Sequence, residues 1–131
     1  MGAAYELRLV VEAAREGRIE LDESRARDQV AQFFERWVDV YPFAIDVLQE
    51  LTNDDYAETV TLQYPPHHGT YDVYGHALSD AVARAHRVAT RCWYVKLRLY
   101  DGLYGEVVFL VSLHPMERGM RRVGGVLRTD Q

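Results

Sequence analysis

Thirteen consecutive residues, Tyr64 to His76, bring together three tyrosines, three histidines, two prolines and two glycines, and no other stretch of the chain is comparable. Aromatic rings lose little conformational entropy on binding, and on a proline-stiffened loop they have the composition of a contact surface for a protein or a ligand. Tyr64, His67, His68, Tyr71, Tyr74 and His76 are the candidate partner-binding residues. The structural alternative is a loop whose tyrosines cover the edge of the core with their hydroxyls in water.

Other chemistry can be set against that reading. His67, His68, Asp72 and His76 supply nitrogen and oxygen donors suited to zinc or another divalent ion. Their spacing matches no established motif and adjacent histidines do not easily reach one ion, so neither a metal nor another cofactor is expected. His76 and Asp80 fall at i, i+4 on a helix, where a cap or surface pair explains them equally well. A nucleolytic site needs an imidazole for proton transfer and a cation for the developing phosphorane charge. His114 with Arg118, Arg121 and Arg122, and His67 or His68 as a second acid/base group, meet that need by type but not by any demanding spacing. No serine elbow, phosphate-binding glycine loop or dinucleotide fingerprint occurs, so no catalytic residue is assigned.

Composition bounds the rest. The 131 residues suit one domain, and 48% hydrophobic with 27% charged residues is ordinary globular usage. No apolar run approaches the roughly 20 residues that span a bilayer, and the N-terminus does not read as a secretory signal, so an intracellular, cytoplasmic protein without membrane contact is expected. Cys92 is the only cysteine, which precludes an intramolecular disulfide and points to a buried thiol. Residues 1–60 carry fourteen acidic and six basic side chains, and residues 61–131 carry six and nine. With a net charge of −5 the chain as a whole repels phosphate, and nucleic acid is not the expected partner.

The elements that would position these residues are read from periodicity. Leu7, Val10, Val11 and Ala14 recur at helical spacing and Gly17 follows as a stop, predicting a helix over 3–16. Asp22 or Ser24 can cap a second helix whose face of Val30, Phe33, Phe34, Trp37, Val38 and Tyr41 is the clearest helical period in the chain, making it the expected core helix. Pro42 interrupts that pattern but suits the first turn of a third helix, Phe43 to Leu51. Thr59 to Tyr64 alternates as a half-buried strand, Thr70 to Tyr74 is a short second one, and Leu78 to Ala89 is a helix with a small-residue face.

Asp101-Gly102 separates two apolar segments and predicts a hairpin. In its first strand Trp93, Val95, Leu97 and Leu99 alternate with Tyr94, Lys96, Arg98 and Tyr100, giving one buried and one mostly wet face. The second strand, Val107 to Leu113, is apolar on both faces and reads as central. A turn at Asp101-Gly102 itself sets Glu106 opposite Leu97; a bulge at Gly105 or a longer loop to Tyr104 relieves this. Beyond Pro115 the pattern is weak, with a helical turn over 116–122 and a last strand over 123–127.

The expected class is α+β, with N-terminal helices and one further helix packed on a curved, mainly antiparallel sheet of four to five strands. In topology alone this resembles the NTF2-like and SnoaL-like pocket domains and the small RelE-like toxin fold, without a shared motif. The reading expects a non-enzymatic regulatory or adaptor domain that binds another protein, or a second copy of itself, through the Tyr/His loop and the neighbouring hairpin face. The alternatives are a pocket for an apolar small molecule, lined by residues such as Phe33, Trp37, Trp93, Val95 and Phe109, and a small ribonuclease.

Overall fold

A computed structural model describes every residue except 1, 23, 24, 31, 64, 66 and 131, with backbone alone for 25–27. Helix α1 is Leu7–Arg15, and it buries Val10, Ala13 and Ala14 as its spacing predicts. It begins later than expected because the amides of Ala4 and Tyr5 are drawn away, donating to the buried carboxylate of Asp72 at 2.9 Å each. Gly17 ends it at φ +77°, where glycine carries no Cβ penalty.

Five strands form one sheet in the order β1-β5-β4-β3-β2: β1 (Ile19–Leu21), β2 (Tyr56–Leu62), β3 (Gly69–Ala77), β4 (Cys92–Gly102) and β5 (Gly105–Pro115). Only β1 runs parallel to its neighbour, pairing Ile19, Glu20 and Leu21 with Val108, Phe109 and Leu110. Three residues are too few to show a strand period, so sequence reading passes over it. The parallel edge strand makes β5 an inner strand, and its two apolar faces are both packed: Val108, Leu110 and Leu113 in the main core, Phe109 and Val111 with Tyr71 on the other side.

The β4–β5 hairpin turns two residues later than expected. Asp101 and Gly102 stay in the ladder opposite Glu106 and Gly105, and Leu103-Tyr104 make the tip. Gly105 supplies the positive φ, at +125°, that the turn needs, so the Asp-Gly signal is not used as a turn. Glu106 thereby avoids Leu97, and a bulge at Val111 restores the register of the two strands.

The expected core helix over 30–41 does not form. Helix α2 (Arg25–Val30) stops at its start, a single 3₁₀ turn occupies Trp37–Asp39, and α3 (Val40–Glu50) follows. Phe33, Phe34, Trp37 and Tyr41 still pack against the core, the first two from irregular backbone, Trp37 from the 3₁₀ turn and Tyr41 from the start of α3. Ring packing is satisfied without the helix, which aromatic and β-branched residues favour only weakly. Pro42 sits in the first turn of α3, where its missing amide has no helical acceptor. Helix α4 (Asp80–His86) is capped by the Ser79 hydroxyl, which accepts from the Val82 amide at 3.1 Å, and ends at Arg87 in the left-handed region.

The main core lies between the helices and one sheet face, with Phe43, Leu48, Tyr74, Trp93, Val95, Leu97 and Leu110 at its centre. After Pro115 neither the helical turn nor the last strand forms; Met120 and Leu127 make an isolated bridge. This segment crosses the other face beside Gly75, where any Cβ would overlap the Met120 side chain.

Candidate functional site

The ring-rich segment does not stand in water. From Gly69 it is β3, and Tyr71, Tyr74 and His76 are 0%, 1% and 6% exposed, which corrects the expectation of an exposed loop. The physical reason is that β3 is an inner strand, between β2 and β4, and is packed on both faces: Tyr74 in the helix-side core and Tyr71 with Phe109 and Val111 on the opposite side. Tyr64 lies outside the described residues, and His68 is exposed.

The buried histidine has a structural occupation. His76 Nδ1 lies 2.9 Å from Asp55 Oδ2 and its Nε2 lies 2.7 Å from Glu50 Oε1. Arg122 Nη1 donates to the other oxygen of Asp55 at 2.8 Å and to the Gly75 carbonyl at 3.0 Å. Burial opposes charge on all three titrating groups, but their mutual hydrogen bonds overcome it. His76 is raised above the ordinary histidine value, and Asp55 and Glu50 are lowered below the ordinary carboxylate range. The imidazolium ties α3 to β3, and Arg122 ties the C-terminal segment to both. Tyr74, pushed far up by burial, is core.

His67 goes to the opposite side of the sheet. Strand alternation puts Tyr94, Lys96, Arg98 and Tyr100 of β4 on the face away from the helices, with Tyr71 of β3 and Phe109 of β5 beside them. Glu20, His67, Tyr71, Arg98, Tyr100 and Phe109 line a cavity of about 320 Å³ on this face. The guanidinium carbon of Arg98 is 5.8 Å from the Tyr71 ring centre, 5.9 Å from that of Tyr100 and 5.6 Å from that of Phe109. Planar guanidinium stacks well on such rings.

Two donors in this cavity lack a use. The Tyr71 hydroxyl and Arg98 Nε are buried and have no hydrogen-bond partner among the described residues. Such orphan donors are rare in a folded interior and demand an explanation. Burial raises the Tyr71 hydroxyl against the pull of Arg98, so it stays protonated and able to donate. His67 Nε2 lies 2.9 Å from Oδ2 of the buried Asp22, and its ring packs 5.9 Å from Phe109. Tyr100 donates to Glu20 at 2.5 Å. The cavity is thus lined by an imidazole, a guanidinium and a neutral phenol together with the carboxylate of Glu20.

The remaining candidates disperse. Asp72 holds the N-terminal segment, and among the described residues no group of three or more metal-ligating side chains is placed to hold an ion. Arg122 is committed to Asp55, and His114 stacks on Tyr94. His86 contacts Asp46 at 2.6 Å and lies edge-on to Phe43. Sequence reading missed Arg98, Tyr100, Glu20 and Asp22 as site residues, although the alternating row Tyr94, Lys96, Arg98, Tyr100 was the signal for the first two. No helix among the described residues is long and apolar enough to cross a membrane. Compared with known proteins, the chain matches no family model, no curated protein and no solved structure.

Proposed function

We propose that the protein is a small ribonuclease that holds single-stranded RNA on the face of the sheet away from the helices. The observation that carries this reading is the pair of buried, unused donors, Arg98 Nε and the Tyr71 hydroxyl, on residues that line one cavity with His67, whose imidazole contacts Asp22. Donors fixed in a water-poor site stabilise the charge that develops on a phosphorane. His67 takes the proton of a ribose 2′-hydroxyl, whose oxygen attacks the adjacent phosphorus. Arg98 and Tyr71 donate to the non-bridging oxygens. The bond from phosphorus to the 5′-oxygen breaks, that oxygen takes a proton from water, and a 2′,3′-cyclic phosphate remains.

The same strand supports RNA over a smaller anion. Tyr94, Lys96, Arg98 and Tyr100 set two cations between two rings along one face, the composition of a stacking platform with phosphate contacts. The acidic side chains of residues 1–60 are divided: Glu12, Asp46 and Glu50 lie on α1 and α3, while Glu20 and Asp22 border the cavity itself. Incubation of purified protein with a mixed-sequence RNA tests the reading. Cleavage to cyclic phosphate ends is expected, lowered about a hundredfold or more by His67→Ala. RNA left intact by the unaltered protein would overturn it.

A contact role retains one supporting observation. Leu103 and Tyr104 at the hairpin tip are 88% and 86% exposed, a paired apolar projection suited to a second copy of the chain. Light scattering at high concentration decides this: a mass of one chain removes the homodimer, and a dimer dissociated by Leu103→Glu supports it.

A further inference from the structure

Outside the proposed cleavage cavity, the same sheet face carries a second cleft of about 330 Å³ whose lining includes Tyr94, His114, Met116, Arg118, Glu58 and Glu117. Tyr94 and His114 are cross-strand partners, and their rings stack 4.7 Å apart at 14°. The Lys96 ammonium sits 5.9 Å from the Tyr94 ring centre, on the strand between this cleft and Arg98, and Arg118 is exposed on the far side. Tyr94 precedes Arg98 by four residues on β4, a separation of about 13 Å at the ordinary strand rise.

We infer that the Tyr94–His114 pair is a distal subsite for a base of single-stranded RNA, so that the substrate extends beyond the two nucleotides flanking the cleaved bond. This rests on the ribonuclease reading for the identity of the ligand. Stacked rings extend naturally by one more ring, and every base has such a face. Glu58 and Glu117 on the rim disfavour phosphate within the cleft, so the ring pair takes the base while Lys96 and Arg118 meet the phosphates on either side. The subsite continues the row that starts at Tyr71 and Arg98, and charge complementarity lies along that row.

The probe is a 2′-O-methyl decaribonucleotide, which has no free 2′-hydroxyl and cannot be cleaved. Its affinity is read by fluorescence anisotropy for the unaltered protein, the Tyr94→Ala/His114→Ala double variant, Arg118→Ala and His67→Ala. Affinity should fall about tenfold in the double variant and less in Arg118→Ala, while a dinucleotide probe binds these two variants as it binds the unaltered protein and loses affinity only in His67→Ala. Arg118 is exposed, so its replacement does not threaten folding. Decamer affinity unchanged in both the double variant and Arg118→Ala overturns the subsite, as does an equal loss for decamer and dinucleotide. A protein that binds the decamer through these residues yet cleaves no RNA keeps the subsite and loses the ribonuclease reading. One that cleaves RNA with unchanged decamer affinity does the reverse, and one that binds no RNA loses both.

Discussion

Arg98 lies over Tyr71, its guanidinium carbon 5.8 Å from the ring centre, and each of the two carries a buried donor without a partner among the described residues. A donor kept dry and unused costs about 1–3 kcal/mol. The fold tolerates two of them side by side, next to an imidazole and a carboxylate.

That juxtaposition separates function from stability. Tyr71→Phe removes a hydroxyl that bonds nothing in the fold, so thermal stability should hold or rise slightly. RNA cleavage should fall about a hundredfold, the usual loss when one transition-state donor is removed. Melting curves and cleavage rates measured together check this, and a marked loss of stability would mean that the hydroxyl has a structural partner.

The His76 network predicts a stability profile with two flanks. In an unfolded chain histidine titrates near about 6.5 and carboxylates near about 4. The folded imidazole holds its proton to higher pH, so its contribution is complete below about 6.5 and drains away as pH rises through the raised folded value. Asp55 and Glu50 are held low, so theirs is complete above about 4.5 and is lost as pH falls through their depressed values. Melting temperature should peak in mildly acidic solution and decline on either side. In His76→Gln the alkaline decline should shrink, which scanning calorimetry across pH would reveal.

Asp72 is fully buried and accepts from the amides of Ala4 and Tyr5 and, at 2.6 Å, from the Thr59 hydroxyl. Asp72→Ala strands three donors and frees the residues ahead of α1. A loss of about 2–4 kcal/mol is expected. Limited proteolysis should then cut near the N-terminus before any other site.

Gly75 faces the C-terminal segment so closely that an added Cβ would overlap Met120 and lie 3.3 Å from Arg122 Cδ. Gly75→Ala should cost about 1–3 kcal/mol through overpacking. Combining it with Met120→Ala should recover part of that loss, a non-additivity that denaturant unfolding of the two single variants and the double can measure.

Local pattern carried far in this chain. Leu7, Val10 and Ala14 announce α1; Phe43, Val47 and Leu48 announce the buried side of α3; the alternation of Trp93, Val95 and Leu97 with Tyr94, Lys96 and Arg98 assigns the two faces of β4. These are contacts between near neighbours in sequence, whose geometry the backbone period imposes. Period alone fails where two backbones present the same side chains to one core: Phe33, Phe34 and Trp37 reach it without the helix that their spacing describes.

Residue types alone placed histidines and tyrosines together and drew attention to Tyr64 through His76. Long-range pairing then sorted them. β3 lies between β2 and β4, so successive residues alternate between opposite sides, and Tyr74 and His76 enter the helix-side core and its charge network while Tyr71 turns to the other face. There it meets Arg98 from β4 and Phe109 from β5, and His67 joins them through Asp22, which is 45 residues away in the chain. No local spacing encodes such a meeting, because it depends on which strands become neighbours and in what register, and only the assembled sheet determines that.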